Sequence, residues 1–133
     1  MQRELATVTA HGARVVAIGQ GTAGEAAHVC AQMGVTFPCL GDPEKASYRA
    51  FGLRRAGWRE ILVDPMRAGN DAMKKGYRVS LSGSLMPHSD WFQLPGVAIV
   101  DRAGIVRWLQ RARHSGDVPA PATVLAALAR LDD

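Results

Sequence analysis

The fold is decided by the stretch RVVAIGQGTAG, residues 14–24 of the 133-residue chain. Its opening part, Arg14 to Ile18, is mostly apolar and β-branched, which is the pattern of a buried parallel strand. The residues from Gly19 to Gly21 predict a turn, and Thr22 followed three residues later by Glu25 is typical of a capping box that opens a helix. The stretch therefore predicts a strand, a tight turn and a helix, which together form one unit of an α/β fold.

Helices and strands are expected to continue on both sides of this unit. The pattern predicts helices over residues 2–10, 22–33 and 122–131, strands over 14–18 and 35–40, a short helix capped by Asp42 with Pro43 at its first position and ending near Phe51, and a β-hairpin over 97–109. Residues 53–94 are the least regular part, with a helix start at Asp64 and a loop over 80–90. We expect a single domain over 1–133 with an irregular insert at about 53–94, built as an α/β sandwich with a parallel core and an antiparallel edge.

The last predicted helix is amphipathic, and its apolar face is expected to lie in the core. That face consists of Val124, Leu125, Leu128 and Leu131.

Composition excludes several classes of protein. Sixteen Lys and Arg residues against twelve acidic residues give a net charge of +4, an excess too small to indicate a nucleic-acid partner. No run approaches the roughly 18 apolar residues of a membrane span, so we expect no membrane partner. The N-terminus lacks the apolar core of a signal peptide, which predicts a cytoplasmic protein.

The glycines of the turn also match the fingerprint G-x-G-x-x-G of dinucleotide-binding folds. In that interpretation Gly19, Gly21 and Gly24 would cradle a pyrophosphate, and Asp42, about 20 residues downstream, would bind the ribose. Against it, Asp42 lies in a turn before a proline, and the further strand–helix units of such a fold are not predicted. An ordinary glycine-rich turn is the preferred interpretation, and a dinucleotide-binding fragment remains an alternative.

The two cysteines show no sign of activation. Cys30 shares a helical face with Ala26, and Cys39 shares a strand face with Phe37, so each is interpreted as a small buried hydrophobic residue. Neither begins a helix, where the dipole would stabilise a thiolate. A bridge between them is possible but is not expected in the cytoplasm. The histidines lack the spacing of metal ligands, and we expect neither a metal nor a cofactor.

Five segments occur in an order that is characteristic of one family. They are RVVAIG (14–19), MGV (33–35), FPCLGDP (37–43), YRAFGL (48–53) and QLPGVAIVDRAG (93–104). In this order they resemble the peroxiredoxin-like proteins of the alkyl hydroperoxide reductase and thiol-specific antioxidant family, within the thioredoxin-like superfamily. The resemblance implies a thioredoxin-like three-layer sandwich and an antioxidant activity in which a thiolate attacks an O–O or S–S bond. A thiol reductant or a peroxide would then be the partner.

The resemblance also assigns positions to the active site and shows departures from the family. It implies that Leu94 and Pro95 form the shelf where thioredoxin folds carry a proline, often cis. Pro95 also stands where typical peroxiredoxins have an arginine. The family's reactive cysteine begins the first long helix. By this comparison residues 1–6 resemble the part of that helix just after the cysteine, which would itself lie upstream of Met1. We therefore expect a truncated domain, lacking the first strand and the cysteine-bearing start of that helix, that is inactive as a peroxidase. Cys39 and Cys30 are the only thiol candidates.

A chain of this kind has two further expected properties. It could serve as a non-catalytic interaction domain in place of an enzyme. The strand over residues 14–18 would also lack a neighbour on one side, and a free, apolar sheet edge predicts a homo-oligomer or aggregation.

Overall fold

The computed structural model of the protein describes residues 1–63, 74, 90 and 92–131. This part of the chain contains both helices and strands, and this mixed content fits the expected α/β class. The elements are a short 3-10 helix (Gln2–Glu4), α1 (Leu5–Ala10), β1 (Ala17–Gly19), α2 (Ala23–Gln32), β2 (Cys39–Gly41), α3 (Ala46–Ala50), α4 (Trp58–Val63), β3 (Gly96–Val100), β4 (Val106–Arg111) and α5 (Pro121–Ala129).

The two parallel strands β1 and β2 are shorter than the sequence predicts. Ala17 lies opposite Cys39 at one end of the ladder, and residues 14–16 and 35–38 lie outside it. Pro38 explains the late start. Its carbonyl accepts a hydrogen bond from the Ala17 N–H at 3.0 Å, but proline has no N–H with which to extend the ladder.

Helix α2 begins and ends as predicted. The Thr22 hydroxyl accepts from the Glu25 N–H at 3.3 Å, and the Glu25 carboxylate accepts from the Thr22 N–H at 3.1 Å, which completes the capping box. At the other end Gly34 has φ +67°, a left-handed conformation that glycine adopts without strain. The Val35 N–H then donates to the Cys30 carbonyl at 2.9 Å, and this turn sends the chain back along α2 toward β2.

The short helix after β2 begins three residues later than predicted. Pro43 was expected at its first position, but α3 starts at Ala46, after Lys45 in a left-handed conformation with φ +56°. Asp42 nevertheless caps this helix, as expected, although it lies four residues before the first helical residue. The Asp42 carboxylate accepts from the N–H groups of Ala46 and Ser47 at 3.0 and 2.8 Å, because the turn folds its side chain over the start of the helix.

The predicted irregular insert contains a helix that the sequence pattern missed. Helix α4 starts at Trp58, and the Glu60 carboxylate accepts from the Gly57 N–H at 2.7 Å, as in one half of a capping box. A glycine before a tryptophan is a weak start signal, which explains the omission. The expected helix start at Asp64 lies outside the described residues, as does the predicted loop apart from Asp90.

The predicted hairpin is confirmed, although it does not join the parallel strands. β3 and β4 are antiparallel, with Ala98 opposite Leu109. Within the described residues they form one two-stranded sheet and β1 with β2 forms another, so the single mixed sheet that was expected is not found there. The N–H of Ala17 and the carbonyl of Gly19 face β2, so the carbonyl of Ile18 points away from it. That carbonyl accepts from the Tyr48 hydroxyl at 3.0 Å, where a neighbouring strand would otherwise bind.

Most of the predicted core of the last helix is confirmed. Val124 and Leu128 of α5 are buried and Leu125 is half-buried, but Leu131 is 44% exposed because the helix ends at Ala129. In the described residues no helix has the length and apolar character needed to cross a membrane.

Candidate functional site

The two cysteines are joined to each other by a disulfide. Cys30, in the last turn of α2, bonds to Cys39, the first residue of β2, across a Cα–Cα distance of 6.6 Å. The interpretation of each as an independent buried hydrophobic residue is therefore wrong. Both side chains are half-buried, and the turn at Gly34 brings the strand alongside the helix so that the two sulfurs meet. Separate helix and strand patterns do not reveal this contact.

A small cavity lies beside the disulfide. It has a volume of about 210 Å³ and is lined by Ala17, Ile18, Gly19, Gln20, Gly21, Glu25, Ala26, Val29, Cys30 and Cys39. The cavity thus joins the glycine turn after β1 to the sulfur pair at the far end of α2. Among the described residues that line it, Glu25 alone carries a charge.

The glycine turn is closed by a carboxylate. A Cβ placed on Gly21 would lie 2.2 Å from Oε2 of Glu25, and one on Gly41 would lie 2.3 Å from the backbone carbon of Thr22. Glycine is required at Gly41, where backbone atoms approach so closely, whereas a side chain at Gly21 would displace the flexible end of Glu25. The start of α2, where a dinucleotide fold binds pyrophosphate, is therefore occupied by the side chain of Glu25.

The other residues of the dinucleotide hypothesis are also not arranged for that role. Gly24 lies in the first turn of α2, and a Cβ there would meet nothing closer than the Thr22 hydroxyl at 3.9 Å. The Asp42 carboxylate is engaged by the start of α3, and hydrogen bonding from the Ser47 hydroxyl is the main cause that lowers the pKa of Asp42. Its capping role explains Asp42 without a ribose ligand.

Gln20 connects the glycine turn to a distant part of the chain. Its side-chain amide accepts from the Asp90 N–H at 3.0 Å and donates to the Asp90 carbonyl at 3.2 Å. The Asp90 carboxylate in turn pairs with Lys45 and Arg55. Burial acts to raise the pKa of Asp90, but the hydrogen bond from Lys45 and the positive charges of both partners hold it below the ordinary value of 3.8. Sequence reasoning missed this cluster, because Gln20 and Asp90 are 70 residues apart.

The predicted shelf residues lie in a different place from the cysteines. Leu94 is fully buried, and its N–H donates to the Arg54 carbonyl at 3.0 Å. The Pro95 carbonyl accepts from the Ala112 N–H at 3.0 Å, and the described residues contain no cis peptide bond. Leu94 and Pro95 are not among the described residues that line the disulfide cavity.

Comparison with known proteins identifies the family. A family model described as AhpC/TSA antioxidant enzyme matches residues 1–114, which include both cysteines and both two-stranded sheets. The chain belongs to this family. The resemblance seen in the ordered sequence segments is thereby confirmed, and the α/β content agrees with the thioredoxin-like fold of AhpC/TSA proteins. No curated protein and no solved structure matches the chain.

Thiol chemistry is the reaction type of the AhpC/TSA family, and in this chain it can involve two sulfurs. Cys30 lies at the carbonyl end of α2, and Cys39 begins a strand, so neither meets the N–H groups of a helix start that stabilise a thiolate. Within the described residues, no group of three histidine, cysteine or acidic side chains is placed to hold a metal ion. The arrangement suits thiol–disulfide exchange better than attack on a peroxide.

Proposed function

We propose that this AhpC/TSA domain acts in thiol–disulfide exchange, with Cys30 and Cys39 as its redox couple, and that the chain is not itself a peroxidase. One observation carries the proposal: the sulfurs are bonded to each other beside a cavity that a small thiol can enter. The partner is a thiol reductant, which returns the disulfide to two thiols.

The predicted cytoplasmic location supports a reversible role for this disulfide. Thiol reductants keep most cytoplasmic cysteines reduced, and disulfides that do form there are usually transient and catalytic or redox-sensing. A half-buried pair beside an open cavity is accessible to such a reductant.

The lack of peroxidase activity follows from the position of the cysteines. A peroxidatic cysteine needs a stabilised thiolate, and the start of a helix provides one through its dipole and its free N–H groups. Here Thr22 caps the start of α2 and Glu25 lies in its first turn, whereas Cys30 is near the opposite end of the helix. Reduced protein should therefore consume hydrogen peroxide no faster than a simple thiol in solution.

Equilibration in thiol redox buffers tests the proposal. Native protein is incubated at a series of thiol-to-disulfide ratios, quenched by alkylation and weighed by mass spectrometry, and we expect a reversible two-electron transition between the bridged and doubly alkylated forms. The Cys39→Ser variant is the matched control: its single thiol should appear either alkylated or as a mixed disulfide with the buffer thiol, and never as an internal bridge. A native protein that stays bridged or stays reduced at all ratios would exclude a redox couple. Peroxide consumption far faster than that of a simple thiol would refute the non-peroxidase part.

A non-catalytic interaction domain is the second candidate, and one observation favours it. Val16, Ile18 and Leu40 are 50%, 40% and 51% exposed, and Ile18 and Leu40 are register partners in the β1–β2 pair. Exposed apolar residues on neighbouring strands are a common feature of binding surfaces. A disulfide that resists every redox buffer, together with a stable oligomer in solution, would favour this candidate.

A further inference from the structure

The turn between α2 and β2 holds the two sulfurs of the disulfide side by side. Gly34 ends the helix with φ +67°, and the Val35 N–H donates to the Cys30 carbonyl at 2.9 Å. Strand β2 then pairs with β1, with Cys39 opposite Ala17. Backbone hydrogen bonds therefore fix both ends of the loop, and we expect them to keep the cysteines close together when the bridge is open.

Both sulfurs lie next to groups that disfavour a thiolate. The carbonyl oxygen of Phe37 is 3.6 Å from the sulfur of Cys39. In the reduced protein this oxygen can accept a hydrogen bond from the thiol, and it would repel a thiolate, so the contact favours the neutral form. Cys30 lies in the last turn of α2, at the negative end of the helix dipole, which also disfavours a thiolate. The reduced form therefore lacks the stabilised thiolate that makes some disulfides strong oxidants.

From these two observations we propose that the Cys30–Cys39 couple is an electron donor, whose dithiol form reduces linear disulfides and is restored by a dithiol reductant. A linear disulfide joins two separate thiols. Folding favours the closed protein bridge over two thiols, whereas a linear disulfide has no such preference, so electrons pass from the couple to the linear disulfide. This inference rests on the proposed function, because it gives the direction of exchange at the same two sulfurs.

The proximity of the two sulfurs also decides which reductant can open the bridge. When a monothiol attacks one sulfur, the other cysteine is released beside the mixed disulfide and attacks it again, which restores the bridge. A dithiol attacks in the same way, but its own second thiol then displaces the remaining cysteine and closes a small ring disulfide. We therefore expect a dithiol to reduce the couple far more completely than a monothiol at the same concentration of thiol groups.

Reduction of a linear disulfide takes place in two steps. The thiolate of one cysteine attacks a sulfur of the linear disulfide, whose S–S bond breaks, and the first partner thiol leaves with the electron pair and takes up a proton. The second cysteine loses its proton and attacks the cysteine sulfur of the mixed disulfide, so that the Cys30–Cys39 bond forms and the second partner thiol leaves in the same way. The linear disulfide gains two electrons and two protons, and the couple loses the same number of each.

An equilibrium measurement tests how strongly folding favours the bridge. Native wild type, and wild type unfolded in concentrated guanidinium chloride, are incubated in buffers with rising ratios of reduced to oxidised dithiothreitol. The ratio that leaves half of the chains bridged is determined by alkylation and mass spectrometry. The two cysteines are nine residues apart in sequence, so the bridge closes a loop of about ten residues, and the chain-entropy description makes this ratio about 100-fold higher for the native protein.

Oxidised glutathione is the probe for the donor reaction. Reduced native protein should become bridged and release both halves of the probe as glutathione, whereas reduced Cys39→Ser should keep one half as a mixed disulfide, because it lacks the second thiol. The variants Cys30→Ser and Cys39→Ser also report on each sulfur separately. At neutral pH each should show no more ultraviolet thiolate absorbance per thiol than glutathione does, because of the Phe37 carbonyl and the end of α2.

Three results would overturn the donor role and leave the proposed function standing, because the couple would still be reversible. They are a half-reduction ratio in native protein equal to or below that of the unfolded chain, a reduced native protein that keeps its thiols in oxidised glutathione, and a stronger thiolate absorbance than that of glutathione in either variant. A bridge that dithiothreitol never opens in native protein would overturn the proposed function and this inference with it.

Discussion

Loss of the disulfide should lower the unfolding free energy of the domain by an amount that follows from the length of the loop it closes. Cys30 and Cys39 are nine residues apart in sequence, so the bridge closes a loop of about ten residues. In the chain-entropy description, closing such a loop destabilises the unfolded state by about 2.7 kcal/mol at 25 °C. We therefore expect the Cys30→Ala/Cys39→Ala variant, and the wild type in reductant, to lose about 2–3 kcal/mol of unfolding free energy, with a melting temperature roughly 10 °C lower.

The measurement is urea unfolding followed by circular dichroism, with and without reductant, on wild type and the double alanine variant. Reductant should move the wild-type midpoint to lower urea and leave the midpoint of the variant unchanged, since the variant has no thiol left. A wild type that reductant leaves unmoved, or a double variant as stable as the oxidised protein, would contradict the reasoning. By thermodynamic linkage, the same 2.7 kcal/mol means that the equilibrium constant for forming the disulfide is about 100-fold larger in the folded protein than in the unfolded chain.

Four other outcomes are expected from the same contacts. Thr22→Ala removes the cap of α2 and should lower the unfolding free energy by about 1 kcal/mol, seen as a lower urea midpoint. Asp42→Ala should destabilise above about pH 5, and the difference from wild type should fade as acid protonates the wild-type carboxylate. The reason is that hydrogen bonding from Ser47 lowers the pKa of Asp42, so its stabilising effect is present above the ordinary value of 3.8 and is lost as pH falls through the lowered pKa. Titration calorimetry with nicotinamide dinucleotides at millimolar concentration should show no binding, because the carboxylate of Glu25 lies where pyrophosphate would bind. If the exposed apolar side chains of Val16, Ile18 and Leu40 mediate association, Ile18→Lys should reduce the mass seen by light scattering, and an unchanged mass would exclude that surface as the contact.

Local signals in the sequence predicted local structure well. The Thr22 and Glu25 capping box, the glycine that ends α2 and the hairpin predicted over residues 97–109 all depend on residues a few positions apart, and all are confirmed. The predicted strands over 14–18 and 35–40 are the exception, because both begin later than the sequence pattern indicates. Pro38 delays the start of both parallel strands because it cannot donate a hydrogen bond, and this residue was visible in the sequence within the strand predicted over 35–40.

Long-range contacts account for what the sequence did not predict at the site. The hydrogen bonds between Gln20 and Asp90 span 70 residues, and neither residue has a pattern that identifies the other. Cys30 and Cys39 are only nine residues apart. Even so, the sequence interpretation considered the helix face of Cys30 and the strand face of Cys39 separately and therefore missed their bond. Once the turn at Gly34 folds the chain back, the apolar faces of α2 and β2 meet, and the two cysteine sulfurs on them form a disulfide.

The orientation of α2 bears on both the dinucleotide alternative and the proposed function. At its start, the positive end of the helix dipole, the Glu25 carboxylate accepts from the Thr22 N–H. At its other end, where carbonyls point outward, Cys30 is bonded to Cys39. A helix that activated a cysteine would need the reverse arrangement, with sulfur at the start and no acid beside it. We therefore expect this polarity to disfavour dinucleotide binding and peroxide attack and to favour thiol–disulfide exchange at the Cys30–Cys39 pair.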